Sequence, residues 1–147
     1  MNGKNEMKLT IESRSANESF ARVAVAAFAA QLDPTIDELN DIKTAVSEAV
    51  TNCIVHAYRD KIGLIYINVQ LAENGEVIIK IRDRGCGIED VKKAMEPLFT
   101  TGEEDRAGLG FSVMESFTDK VTVRSKPGVG TTVTLKKKLK YRAGKNG

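Results

Sequence analysis

The sequence is poor in the residues from which several kinds of site are built. Tryptophan is absent, aromatic residues make up 5% of the 147, and there is one histidine, His56. Two cysteines, Cys53 and Cys86, neither in a CxxC pair, cannot form a disulfide framework. With a single histidine beside them, soft ligands are too few for a structural zinc site. No apolar run approaches the ~20 residues that a membrane span needs. The opening MNGKNEMK has none of the apolar character of a secretory leader. A cytoplasmic setting with reduced thiols is therefore expected. Charge of one sign is lacking too: 22 basic and 20 acidic residues leave +2. That balance gives no general attraction to nucleic acid or to an anionic membrane, and neither direct DNA binding nor membrane binding is expected. No GxxxxGK[ST] sequence is present, so a Walker-type phosphate loop is excluded.

What is present suits one soluble domain over 1–147, with loose polar tails at about 1–6 and 140–147. The hydrophobic fraction of 41% and charged fraction of 29% are ordinary for a globular chain. MKLTIES (7–13) alternates apolar and polar and reads as a strand. Ser15 with Glu18, and again Thr35 with Glu38, fit capping boxes. They open one helix from about 16 to 32, stopped at Asp33-Pro34, and a second over about 36–58. LIYINVQL (64–71) and EVIIKIRD (76–83), joined through Asn74-Gly75, read as an antiparallel hairpin. A Gly-rich, charged stretch follows over 84–110, with a short helix near 89–95. A helix over 111–118 and a second hairpin from 120 to 139 complete the chain. The order predicts an α/β two-layer sandwich: a mixed, largely antiparallel sheet with helices on one face.

Four clusters stand out. Glu48, Asn52 and His56 recur every four residues along one side of the second helix, beside its apolar stripe. DRGCG (83–87) ends a strand, with a carboxylate able to accept a hydrogen bond and glycines that let a flat ring approach the backbone. AGLGF (107–111) leads into a helix, where backbone N–H groups can face phosphate. GVGTT (128–132) lies in the last hairpin. Each alone has a plain structural explanation: a solvated helix edge, turn formers, a helix start, a hairpin turn.

In order and spacing the four together resemble the nucleotide-binding boxes of the GHKL superfamily of ATP domains, the Bergerat fold. E-xxx-N-xxx-H-A-Y resembles the N box and D-x-G-x-G the first glycine box. P-L-F followed by G-L-G-F resembles the F box with the second glycine box, and G-T-T the last box. The motifs cover about 44–135. Within the superfamily the chain is similar to the small anti-sigma serine kinases of the sporulation type. SEAVTNCIVHAY (47–58), DRGCGIED (83–90), EPLFTT (96–101), GLGFSVMESFTD (108–119) and ESFARVAVAAFAAQLDPT (18–35) carry that likeness. The stress-response relatives share the N box but have a less regular glycine box and lid.

The resemblance implies ATP/ADP binding with Mg²⁺ and transfer of the γ-phosphate to a serine of an anti-anti-sigma protein. Asp83 would accept from the adenine amino group, Gly85 and Gly87 would floor the base, and Thr131 would support it. Asn52 would give its amide oxygen to Mg²⁺, a hard cation. Glu48 would orient or deprotonate the serine hydroxyl. Phosphoryl transfer needs mainly positioning and charge neutralisation, so few groups suffice. The segment 98–110 would be the lid, bringing Thr100, Thr101, Gly108, Leu109 and Gly110 to the nucleotide and Arg106 to the γ-phosphate. His56 falls where the family has a histidine or lysine near the phosphates; it is not read as a phosphoacceptor, because no separate acceptor hairpin precedes the helix. Cys53 is expected to pack and Cys86 to be exposed. Implied partners are a sigma factor held inactive, the anti-anti-sigma substrate and a second copy in a homodimer, with Arg22 as a partner contact on a first helix apolar enough to be buried on more than one side. Open alternatives are a stress-response-type anti-sigma kinase, a histidine-kinase-like ATP domain, and a nucleotide-gated binding module without kinase activity.

Overall fold

The computed structural model describes residues 5–96 and 110–140. Five strands form one sheet in the order β1-β2-β3-β5-β4: β1 (Asn5–Glu12), β2 (Leu64–Leu71), β3 (Glu76–Asp83), β4 (Lys120–Lys126) and β5 (Gly130–Lys138). Among the described residues four α-helices accompany it: α1 (Ala16–Ala29), α2 (Ile36–Thr51), the single turn α3 (Val91–Ala94) and α4 (Phe111–Phe117). Every described strand pair is antiparallel, where a mixed, largely antiparallel sheet was expected. Two helices separate β1 from β2, so β2 runs back against β1; a single crossover helix would have returned the chain parallel.

Period-two alternation sets the layers. Ile65, Ile67, Val69 and Leu71 of β2 and Val77, Ile79 and Ile81 of β3 are buried on one face. Register carries that face across the sheet, pairing Ile67 with Ile81 and Ile81 with Val133. Against it pack Ala21, Val25 and Ala29 of α1 and Ile42, Val46, Ala49 and Val50 of α2, in one core cluster. Each valine, leucine or isoleucine among these stabilises the fold by about 1.5–3 kcal/mol when fully buried. The small residues of α1 let it lie close, but its outer side is open: Phe20 and Val23 are 53% and 51% exposed. Within this chain α1 is thus buried on one side, not more.

The two helix starts differ. Thr35 has extended backbone angles, and its hydroxyl accepts from the Glu38 N–H at 3.0 Å while the Glu38 carboxylate accepts from the Thr35 N–H at 2.9 Å. Ser15 is already helical (φ −58°, ψ −32°) and makes no side-chain cap, so the first expected capping box does not form. A turn from Arg14 opens this helix instead, its carbonyl accepting from Asn17 N–H at 2.9 Å. The α1 pattern ends in a tight turn at Ala30–Leu32 and a left-handed Asp33 (φ 56°) before Pro34. The α2 pattern does not stay α-helical to residue 58. From Asn52 to Ala57 it widens into a π turn, closed by Tyr58 N–H donating to the Cys53 carbonyl at 3.0 Å. Such turns concentrate at functional sites.

Candidate functional site

Between the widened turn and the strands β3 and β5 lies a cavity of about 410 Å³. Asn52, Cys53, His56, Ala57 and Arg59 line one wall, Asp83, Cys86, Gly87 and Ile88 another, and Phe111, Thr131 and Val133 close it. Asn52, Cys53, His56 and Ala57 of the π turn share one face, which forms the first wall.

Asp83 ends β3 and stands opposite Thr131 of β5 in register. It is 6% exposed, a carboxylate almost enclosed by protein. Burial pushes its pKa above the ordinary 3.8; backbone hydrogen bonds from Gly85 and Thr131 and the Cys53 thiol pull it partly back. The Gly85 N–H donates to Oδ1 at 2.9 Å and the Cys53 thiol to Oδ2 at 3.6 Å. The Cys53 thiol is raised well above its usual range, first by burial and then by the neighbouring Asp83 charge. It remains a neutral donor.

The glycine loop after β3 is clasped on both sides. A Cβ on Gly85 would strike the Ala57 carbonyl, and one on Gly87 (φ +79°) the Lys126 carbonyl, so side chains would push the loop off its supports. Tyr58 hydroxyl donates to the Leu64 carbonyl at 2.6 Å and accepts from the Arg84 N–H at 2.7 Å, pinning the loop to the end of the N-box helix. Ser125 Oγ accepts from the Ile88 N–H at 2.7 Å and lies 2.7 Å from the Thr131 hydroxyl. Gly128 N–H donates to the Cys86 carbonyl at 2.7 Å, so the last hairpin holds the first glycine box in place.

Of the expected site residues, the structure brings Asn52, His56, Asp83, Gly87 and Thr131 to the cavity. Gly85 lies beneath it as the Asp83 donor. Glu48 is outside the lining, one turn before Asn52. Its Oε1 occupies the space a Cβ on Gly110 (φ +64°) would need, which puts its carboxylate beside the start of α4. Thr100, Thr101, Arg106, Gly108 and Leu109 lie outside the described residues. Arg22 is on the surface of α1, its Nε donating to Glu18 at 2.9 Å. Cys86 is exposed, as expected from its loop. The sequence reading missed Arg59, Tyr58 and Ser125. Tyr58 stood within the quoted HAY motif, but nothing in the chain marks Ser125, whose role comes from pairing across the hairpin.

Residues 11–137 match the histidine kinase-like ATPase domain family. The five-stranded sheet with its helices is consistent with that class. An anti-sigma F factor from Caldanaerobacter subterraneus subsp. tengcongensis is 61% identical, over 90% of this chain and 93% of the relative. One from Clostridium botulinum strain Alaska E43 is 57% identical over 92% and 95%. One from Geobacillus kaustophilus is 56% identical over 92% and 94%. The chain belongs to the anti-sigma F factor family. Among solved structures, the RsbU and RsbW domains of a Mycobacterium tuberculosis protein superpose with a TM-score of 0.67 at 21% identity, covering 92% of this chain and 32% of that one. The histidine kinase domain of a blue-light activated Erythrobacter litoralis kinase gives 0.57 at 17% identity, over 83% and 61%. At such identities the likeness speaks for the fold alone. Among the described residues no helix is long and apolar enough to cross a membrane.

Proposed function

We propose that the chain holds a sporulation sigma factor inactive and, as an ATP- and Mg²⁺-dependent serine kinase, phosphorylates the anti-anti-sigma protein that antagonises it. The single observation that carries the nucleotide part is the enclosed Asp83 carboxylate, opposite Thr131 and at the wall of a 410 Å³ cavity. A buried acceptor of that kind suits an exocyclic amino group. Gly87 leaves the adjoining wall open to a flat base.

The donor set suits Mg²⁺ held mostly by nucleotide phosphates. Mg²⁺ commonly takes one or two protein oxygens and fills its remaining positions with phosphate and water. Here the protein oxygen would be the Asn52 amide, at the cavity wall. When bound, the cation would neutralise the charge developing on the phosphates. Glu48, one helical turn from Asn52, then takes the proton of the incoming serine. The serine Oγ forms its bond to the γ-phosphorus as the bond to the β-phosphate oxygen breaks, and ADP leaves. A positioned base of this kind contributes about 10²–10⁴-fold. His56 faces the phosphate end, Gly110 closes against Glu48, and the lid residues Thr100, Thr101, Gly108 and Leu109 would cover the nucleotide with Arg106 at the γ-phosphate. Arg22 and the exposed Phe20 and Val23 of α1 offer a surface for the partners or a second copy.

The test is a γ-labelled ATP–Mg²⁺ reaction with an anti-anti-sigma protein, run for the parent, Glu48→Gln and Asp83→Asn. Acid-stable serine label is expected from the parent. It should be lost in Glu48→Gln with ATP still bound, and lost in Asp83→Asn with ATP binding weakened. Acid-labile label would assign a histidine kinase-like activity. Tight ATP binding with no label would leave a nucleotide-gated binding module.

A further inference from the structure

No described element packs on the face of the sheet turned away from α1 and α2, and that face carries more cations than acids. Alternation places Lys80 and Arg82 of β3 and Arg124 and Lys126 of β4 on it, all exposed. Arg84 joins them, because it and Arg82 lie over the ring of Tyr66, 5.1 and 4.6 Å from its centroid. Arg82, Arg84, Arg124 and Lys126 line a shallow cleft of about 390 Å³ floored by Gly130 and Thr132. Asp83 contributes to the wall, but its carboxylate is on the other face, bonded to Gly85 and Cys53. Among the described residues none of the four cations has a carboxylate within ion-pair distance. The acids of this face lie away from the cleft: Glu6 and Glu12 are on β1, where Glu6 accepts from Asn68 and Gln70 and Glu12 pairs with Arg14, and Glu76 is at the far end of β3, opposite Lys138. Lys120, Lys136 and Lys138 share this face at the far end of β4 and β5, but its arginines are gathered in the cleft.

We propose that this cleft is a docking site for an acidic, Asp/Glu-rich segment of a protein partner, separate from the nucleotide cavity on the opposite face of β3 and β5. Three guanidinium forks within one cleft match carboxylates, each able to take paired N–H···O bonds. Concentrated like charge also steers an oppositely charged partner toward it. Nucleic acid fits less well. Sequence-tolerant binding of single strands relies on aromatic rings for base stacking, and the ring on this face, Tyr66, is engaged by Arg82 and Arg84. A second copy of the same face would bring cation against cation. The two sites share strands residue by residue: Arg82 and Arg84 flank Asp83, and Thr132 follows Thr131.

The test uses the full chain and a fluorescein-labelled oligoglutamate peptide, read by anisotropy at low and at physiological salt. Binding that weakens with salt is expected. The double variant Arg82→Glu/Arg124→Glu should bind the peptide about tenfold or more weakly, while ATP affinity by calorimetry stays at the parent value. The neutral pair Arg82→Gln/Arg124→Gln should fall between, which separates a charge effect from a folding defect. Absence of peptide binding, or an unchanged affinity in the double variant, would overturn the proposal. So would tighter binding of a single-stranded oligonucleotide of equal charge with the same sensitivity to the variants, which would make this a nucleic-acid face. A parent dimer in sedimentation that the charge reversals dissociate would make it a face between copies, and would equally overturn it.

Discussion

Asp83 sets a conflict between stability and function that can be measured. Its native pKa is raised above 3.8, chiefly by burial. The folded chain therefore holds this proton more tightly than the unfolded chain does. The sign follows: as pH rises through the window above 3.8, ionisation weakens the fold, and the penalty persists at neutral pH. Asp83→Asn removes the charge and keeps an oxygen for the Gly85 N–H. The nucleotide-free variant should be more stable than the parent at neutral pH, with the difference closing toward about pH 4. Urea denaturation at the two pH values measures it, and a variant less stable at neutral pH would contradict the burial argument. The two thiols give a second contrast. Cys86 is exposed at the cavity and Cys53 is 3% exposed with its thiol held protonated. Since the thiolate is the reactive form, iodoacetamide followed by mass spectrometry should label Cys86 in the native chain and Cys53 only after unfolding. Saturating ATP should slow labelling of Cys86, because that residue lines the cavity. Labelling of Cys53 at a comparable native rate would sink both the burial and the pKa reading.

Among the elements, those governed by local chemistry were legible and those governed by tertiary contact were not. LIYINVQL and EVIIKIRD form β2 and β3 with the expected bounds, because alternating β-branched residues and an Asn-Gly turn leave one register that buries the apolar face. Thr35 and Glu38 behave as their spacing requires. Ser15 and Glu18 carry the same spacing and do not, since a cap needs an extended residue before the helix and the turn from Arg14 makes Ser15 helical. The two predict different costs. Thr35→Ala should lose about 1 kcal/mol, whereas Ser15→Ala should stay within about 0.5 kcal/mol. Chemical denaturation of both variants decides it, and equal losses would restore a capping role to Ser15. The π turn left no trace in the chain, because residues 52–57 carry an ordinary helical pattern. What favours the wider turn is its surroundings: the Ala57 carbonyl accepts from the Cys86 N–H at 3.1 Å and its backbone presses on Gly85. The boxes were readable as motifs; their mutual support through Tyr58 and Ser125 was readable only once β3 and the last hairpin were placed side by side.

At the scale of the molecule, the cavity proposed for the nucleotide lies where three parts meet that are far apart in sequence: the turn after α2, the loop after β3 and the β4–β5 hairpin. A ligand seated there touches all of them and should therefore act on the global fold. Binding to the folded chain alone stabilises it by about 2.7 kcal/mol at a ligand concentration one hundred times Kd. A shift in Tm of several degrees with saturating ATP–Mg²⁺ is expected for a chain of this length. The assigned roles then separate the variants without any reference to turnover. Glu48 lies outside the cavity lining, so Glu48→Gln should keep the full shift. Asp83→Asn should start from a higher Tm without nucleotide and gain little with it, because the same substitution that relieves a buried charge removes the acceptor proposed for the base. Differential scanning calorimetry over a series of ATP concentrations measures both quantities in one experiment. If Asp83→Asn shifted as much as the parent, the base would be held elsewhere and the cavity beside Asp83 would lose its assignment. If Glu48→Gln lost the shift, its carboxylate would be a binding group, and the division between holding the nucleotide and activating the serine would have to be redrawn around Gly110.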